Sequence, residues 1–193
     1  WWLGIFGFVH GLNEWLDMVA VSMAPFADVL IFKIIRFLIL LISFIFLVEF
    51  ARRGTFVVWQ KKIGRGFYAA LLILILFGSR YGWPGINATL RYGFGLTGGI
   101  WSALILLPYR GSEDKPLTKL ATVLLRLAGA AMFLYGLATG LIVPEAKLFP
   151  SNIINVNTFI GFFHLPVQFF RGIFAFIIAT SIAIFAIKQS IID

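Results

Sequence analysis

The chain has 193 residues, of which 61% are hydrophobic and 12% are charged, and its mean hydropathy is +0.97. A soluble domain carries roughly 25% charged residues, so this chain has too little polar surface to cover a water-facing fold. The composition predicts an all-α integral membrane helical bundle and excludes disorder. Because the chain has no Cys, it also excludes disulfides, thiolate metal sites, iron–sulfur clusters and cysteine nucleophiles.

The net charge of +8 is the second compositional feature. In so apolar a chain we interpret the basic residues as markers of cytoplasmic loops and contacts with lipid headgroups. We therefore expect the lipid bilayer as a partner, and no nucleic acid.

Six stretches come near the about 20 mostly apolar residues that a spanning helix needs. They cover residues 2–21, 29–50, 63–81, 91–107, 117–143 and 166–187. Lys and Arg concentrate in the loops after the second and fourth spans, which predicts that these loops and the C-terminus are cytoplasmic. Because the sequence starts at Trp1 without Met, we expect a missing upstream segment, and one further helix in it would give seven spans in the full-length domain.

Three connections carry turn or loop signals. Residues 81–89 predict a short outer turn, and residues 110–116 predict an inner turn. Ser112 or Thr118 can cap the start of the helix that follows this inner turn. The segment 144–165 mixes Asn with many apolar residues, so we expect it to lie on the membrane surface or to fold over the outer mouth of the bundle as a lid.

Pairs of glycines at four-residue spacing let helix backbones approach closely. They are compatible with packing inside one bundle or with a dimer seam, and they occur at Gly7/Gly11, Gly95/Gly99 and Gly136/Gly140.

The ionisable residues inside the spans are the candidate functional residues, because a charge near the bilayer centre costs roughly 2.5–3.5 kcal/mol. On the first span, His10, Glu14 and Asp17 share one face. Opposite charges at a similar depth predict a buried polar cluster in the outer half of the bundle. Its expected members are His10, Asn13, Glu14, Asp17, Lys33, Arg36, His164, Gln168 and Arg171.

Several roles are open for this cluster. Its charges can simply hold the helices together, or they can form a pocket for a small polar-headed or anionic molecule. His10, Glu14, Asp17 and His164 are ligand types that zinc or iron accepts, although their spacing is not diagnostic. Haem ligation by His10 and His164 is weaker, because the two lie at different depths.

The remaining motifs give no catalytic signal. A Gly-x-Ser-x-Gly turn is missing, and the GxGxxG letters at residues 93–98 lie inside an apolar span with no strand before them. We therefore predict no enzymatic activity for this chain and no required cofactor. At the inner interface, Glu49 is expected to pair with Arg52 and Arg53 at a helix end, while Arg126 either pairs with Glu49 or extends towards the interface.

Five strings carry a resemblance to a known class of proteins: FGFVHGLNEWLDM at 6–18, FLVEFARR at 46–53, LRYGFG at 90–95, GLIVP at 140–144 and LPVQFFR at 165–171. Across nearly the whole chain, the sequence resembles the multi-spanning N-terminal sensor region of bacterial membrane histidine kinases and diguanylate cyclases.

The resemblance implies that residues 1–193 form a single sensor domain of the bacterial inner membrane, with a cytoplasmic output domain following residue 193 and a homodimer formed through that output. A stimulus at the polar cluster would shift the first helix against the last and pass that shift into the output. The alternatives are a structural or accessory subunit of a larger membrane complex and, less favoured because no internal repeat is evident, a small transporter.

Overall fold

The computed structural model describes residues 1–23, 29–111 and 116–192, and every regular element in these ranges is helical. The elements are α1 (Trp2–Ser22), α2 (Leu30–Trp59), α3 (Phe67–Gly78), a 3₁₀ turn (Ser79–Tyr81), α4 (Gly82–Leu90), a π-helix (Arg91–Leu96), α5 (Thr97–Leu106), α6 (Lys119–Gly140), α7 (Val156–Phe163) and α8 (Val167–Ile192). The predicted all-helical architecture is confirmed.

Within the described ranges, four helical stretches are long and apolar enough to cross a membrane, and they are Leu30–Trp59, Phe67–Leu106, Lys119–Gly140 and Val167–Lys188. Helix α1 has a similar length, 21 residues, and is not one of these four stretches. The predicted number of six spans is therefore not confirmed.

The stretch Phe67–Leu106 is a helical hairpin. Its chain reverses at the 3₁₀ turn and Gly82, whose φ of +69° suits glycine. The two arms then pack side by side, since the Phe67 and Trp101 rings lie 5.6 Å apart and a Cβ on Gly78 would meet Thr89. With 12 residues, α3 is only about 18 Å long and is shorter than the ~30 Å hydrocarbon core.

The predicted outer turn at 81–89 is wrong in its position. Residues Gly82–Leu90 are helical and continue through the π-helix into α5. The Pro84 signal was misleading because Pro84 lies in the first turn of α4, where a missing N–H leaves no helical hydrogen bond unmade.

Helix α2 extends nine residues beyond the predicted end of the second span, to Trp59. Glu49 therefore lies within the helix, where it accepts hydrogen bonds from Arg52 (2.7 and 2.6 Å), Arg53 (2.8 Å) and Tyr68 (3.1 Å). The predicted pairing with both arginines is present, although it is not at a helix end. Arg126 is exposed on α6 and has no ion pair to Glu49 in the described residues.

Helices α2, α5 and α6 form the centre of the bundle. Helices α2 and α5 run parallel, and the Trp101 indole donates to Thr55 Oγ1 at 2.8 Å. Helices α5 and α6 run antiparallel and meet at Gly99 and Gly136, where a Cβ on Gly136 would lie 3.0 Å from the Gly99 Cα. These glycines serve packing within one bundle, as one of the two interpretations expected.

Helix α1 packs antiparallel against α2. Trp2 contacts Phe46 with ring centroids 5.8 Å apart and lies under the Arg53 guanidinium at 4.7 Å. The pair Gly7/Gly11 differs from the other glycine pairs, because a Cβ on either residue would meet nothing within 4 Å. These two glycines therefore border open space and make no close helix contact.

The two remaining connections are described in part. Thr118 caps α6 by accepting a hydrogen bond from the Ala121 amide, whereas Ser112 lies outside the described residues. The segment 144–165 contains the amphipathic helix α7, which Asn155 and Thr158 start with a capping box and which contacts α8 through Phe159 and Phe170.

Candidate functional site

Helix α1 carries the polar residues His10, Asn13, Glu14 and Asp17 over two turns. Asp17 forms an ion pair with Arg36 of α2, whose Nε lies 2.9 Å from the carboxylate. This pair joins α1 to α2, which agrees with one of the roles that the sequence left open for these charges, that of holding helices together. The other three residues have different surroundings.

The His10 imidazole is 3% exposed and lies among aromatic rings. Its centroid is 5.2 Å from Phe6, 5.2 Å from Phe44 and 5.9 Å from Tyr135. His10 Nδ1 is 2.9 Å from Ser43 Oγ, and Ser43 Oγ is 2.7 Å from the Leu40 carbonyl oxygen. When the Ser43 hydroxyl donates to the Leu40 carbonyl, His10 Nδ1 is the donor to Ser43, which corresponds to the Nδ1-protonated tautomer.

In the neutral imidazole this tautomer leaves His10 Nε2 as an acceptor. Nε2 is 3.5 Å from Glu14 Oε1, and both atoms are buried without a hydrogen-bond partner among the described residues. Two acceptors therefore converge on one place. A ligand group that donates an N–H or O–H there would satisfy both of them.

The C-terminal end of α6 collects two buried arginines. Arg171 of α8 donates to the Ala138 carbonyl at 3.1 and 2.9 Å and to the Ile142 carbonyl at 3.0 Å, and Arg91 donates to the Thr139 carbonyl at 3.4 Å. The last carbonyls of a helix lack helical partners and carry the negative end of its dipole. This end of α6 thus holds both cations.

Glu14 links this arrangement to α1, because its Oε1 lies 3.5 Å from Arg171 Nη1 as well as from His10 Nε2. The carboxylate is therefore placed between α1 and α8. A change at Glu14 acts on both helices.

A cavity of about 690 Å³ lies between α1 and α8, with Met132 and Tyr135 of α6 among its lining residues. We call it the α1–α8 groove. Its polar end has His10, Glu14, Gln168 and Arg171, and the rest of its wall is mainly Gly, Ala and aliphatic residues. On α1 the lining runs from Leu3 to Met18, a distance of about 22 Å along the helix.

A second cavity, of about 200 Å³, lies on another side of α1, and we call it the Arg91 pocket. Its lining residues are Asn13, Asp17, Lys33, Arg36, Phe37, Leu40, Trp83, Pro84, Asn87, Arg91 and Pro144.

The nine predicted cluster residues are thus divided. The α1–α8 groove takes His10, Glu14, Gln168 and Arg171, and the Arg91 pocket takes Asn13, Asp17, Lys33 and Arg36. His164 is exposed at the left-handed C-cap of α7 and lines neither cavity. In the described part of the chain, no three His, Cys, Asp or Glu residues are grouped so as to hold a metal ion.

The predicted polar cluster did not include Arg91, which is the first residue of the predicted span 91–107. The structure places its guanidinium in the interior, 5% exposed, with Nε donating to Asn87 Oδ1 at 2.9 Å. The available signal was the spacing of Asn87 and Arg91, four residues apart on one helical face within an apolar stretch.

The fold and the site define a class: an all-helical protein with four stretches long and apolar enough to span a membrane, and with polar side chains buried between its helices. Comparisons with protein-family models, with curated proteins and with solved structures found no match.

Proposed function

We propose that this chain is a membrane-embedded sensory input domain that binds an amphipathic small molecule in the α1–α8 groove. The observation that carries the proposal is the groove itself, which combines a long apolar wall with a polar end. An amphiphile with one apolar chain fits this pattern when its head group donates a hydrogen bond to Glu14 and His10.

The groove dimensions support an elongated ligand. Its wall extends about 22 Å along α1, which exceeds the ~15 Å depth of one leaflet of a ~30 Å hydrocarbon core. The absence of side chains at Gly4, Gly7 and Gly11, where a Cβ would meet nothing within 4 Å, provides the width.

Relay to an output is part of the proposal. Helix α8 forms one wall of the groove and is also the last helix, so a ligand that separates α1 from α8 displaces the segment that would precede an output domain. From the resemblance to the sensor regions of histidine kinases and diguanylate cyclases, we propose that the output is a histidine kinase or diguanylate cyclase domain. The same resemblance implies that the protein lies in the bacterial inner membrane with a cytoplasmic C-terminus.

Distance measurements between spin labels test this proposal. The chain has no Cys, so Trp15 and Phe176, which are exposed and do not line the groove, can be labelled as Trp15→Cys and Phe176→Cys on α1 and α8. Dodecan-1-ol, added to the protein in phosphatidylcholine nanodiscs, should shift the distance distribution between these labels. Dodecane, which has the chain without the donor, should have a much weaker effect.

A control pair, Leu72→Cys and Val123→Cys, reports on α3 and α6, where both residues are exposed and neither lines the groove. Its distances should stay unchanged. Identical distributions between Trp15 and Phe176 with and without dodecan-1-ol would contradict the proposal.

The rival function, an accessory subunit of a larger complex, has one observation in its favour. The open glycine face of α1 could receive a helix of a partner, since small residues allow close helix approach. A stable complex with a fixed membrane protein, purified in stoichiometric amount, in which the Trp15 label becomes immobile would support the accessory role.

A further inference from the structure

The Arg91 pocket is separate from the α1–α8 groove and has a different chemistry. Its lining includes three cationic residues, Lys33, Arg36 and Arg91, and a single acidic one, Asp17. Its volume of about 200 Å³ is sufficient for a small polar group and too small for the long chain that the groove accommodates.

The charges on one side of the pocket are already balanced. Arg36 donates from both Nε and Nη2 to the Asp17 carboxylate. This pair contributes no net charge to the pocket. The charge of a ligand that the pocket can bind therefore depends on its other lining residues.

Arg91 is the cation without a carboxylate. Within the described residues its hydrogen bonds go to neutral acceptors only, Asn87 Oδ1 and the Thr139 carbonyl, and no carboxylate lies within ion-pair distance. A guanidinium has five N–H donors, so these two bonds leave donors of Arg91 unused beside the cavity. An anion in the pocket would give Arg91 a charge-assisted hydrogen bond in addition to its two neutral acceptors.

Asn13 provides an independent observation. The residue is 1% exposed, and its Nδ2 is buried with no hydrogen-bond partner in the described part of the chain. Asn13 lines the same pocket as Arg91. A buried amide donor without an acceptor costs stability, and an oxygen atom in the pocket would supply the acceptor.

From these two groups we infer that the Arg91 pocket binds a small oxyanion, a carboxylate or a phosphate, through the Arg91 guanidinium and the Asn13 amide. A planar guanidinium suits two oxygens of one anion, and the Phe37 and Trp83 rings, 5.6 Å apart, provide an apolar wall. The oxyanion can be free in solution or can belong to a lipid headgroup.

Thermal unfolding in nanodiscs tests the inference and separates the two sources. A ligand that binds the folded state raises the unfolding temperature in proportion to its affinity and concentration. One arm titrates inorganic phosphate into protein in nanodiscs of digalactosyldiacylglycerol, a lipid without phosphate, and the other replaces part of that lipid with phosphatidylglycerol. Stabilisation in the first arm identifies a free anion, and stabilisation only in the second identifies a headgroup.

Asn13→Leu is the diagnostic variant, because it removes the unpartnered donor and replaces the branched amide with a branched alkyl group. Without anion it should be at least as stable as the unmodified chain, and its apparent anion affinity should fall by roughly 10-fold or more, as expected for a lost bond to a charged group. Arg91→Gln should abolish the anion effect, and Asn152→Leu, an exposed residue outside both cavities, should preserve it.

Two results would overturn the inference: no stabilisation of the unmodified chain by either anion source, or equal anion stabilisation of the unmodified chain and Asn13→Leu. Neither result depends on the dodecan-1-ol experiment, since that experiment reports on the other side of α1.

Discussion

Arg171 of α8 binds the Ala138 carbonyl of α6 with two nitrogens, at 3.1 and 2.9 Å. The same guanidinium reaches the Ile142 carbonyl and lies 3.5 Å from Glu14. One side chain thus joins the last helix to the end of α6 and to α1.

Replacement of Arg171 by Met should destabilise the protein strongly, because it leaves Glu14 and the α6 carbonyls without their cation. Removal of one partner from a buried ion pair costs about 3–5 kcal/mol. Thermal unfolding in detergent measures the loss. The control is Arg126→Met on the exposed face of α6, for which we expect a change within about 0.5 kcal/mol; equal unfolding temperatures for the two variants would disprove this role of Arg171.

A methyl group at Gly136 should also be destabilising. In Gly136→Ala the new Cβ would lie 3.0 Å from the Gly99 Cα, and because backbone atoms cannot move aside easily we expect a cost of about 1–3 kcal/mol. Gly7→Ala is the matched control, since its Cβ meets nothing within 4 Å. That substitution should leave stability unchanged or raise it by up to ~1 kcal/mol through helix propensity. Only Gly136→Ala should therefore lower the free energy of unfolding.

Glu49→Gln should weaken the network that joins α2 to α3. Glu49 is 7% exposed and accepts from Arg52, Arg53 and Tyr68. Hydrogen bonds to charged groups contribute ~1.5–3 kcal/mol, and because Arg53 is half exposed its share is smaller, so we expect a total loss of about 2 kcal/mol. Glu145→Gln, which alters an exposed bond to Asn157, should have almost no effect in the same unfolding assay.

The Asp17–Arg36 pair lends itself to a double-mutant cycle with Asp17→Asn and Arg36→Gln. Their side chains are 17% and 29% exposed, which is intermediate between a surface and a buried pair. Residues in direct contact show coupling energies of about 0.5–3 kcal/mol, and we expect a value in this range. Additive effects of the two substitutions would show that the pair does not hold α1 to α2.

The sequence was sufficient to predict the polar face of α1, because i, i+3 and i, i+4 spacing follows from helix geometry alone. It also placed Asp17 and Arg36 in one cluster of opposite charges at a similar depth, although it did not assign them to each other as a pair. The division of the polar residues between two cavities could not be predicted, because Asn13 and Glu14 are neighbours in sequence and only the positions of α2, α4 and α8 decide which cavity each residue borders.

Two local signals led to wrong boundaries. Arg52 and Arg53 predicted a loop, but long basic side chains can extend from a continuing helix to reach polar surroundings, and α2 continues to Trp59. Residues around Pro84 predicted a turn, although proline in the first turn of a helix breaks no hydrogen bond. In both cases the residue type is compatible with a loop or with a helix, and the tertiary contacts determine which of the two forms.

The π-helix Arg91–Leu96 lies between α4 and α5, which together form the second arm of the helical hairpin. A π-helical turn contains one residue more than an α-helical turn requires, so it offsets the register of α4 from that of α5. Before the offset, Asn87 borders the Arg91 pocket; after it, Gly98 and Gly99 contact α2 and α6. The two halves of the arm can therefore face different neighbours and change independently in sequence, because neither imposes its periodicity on the other.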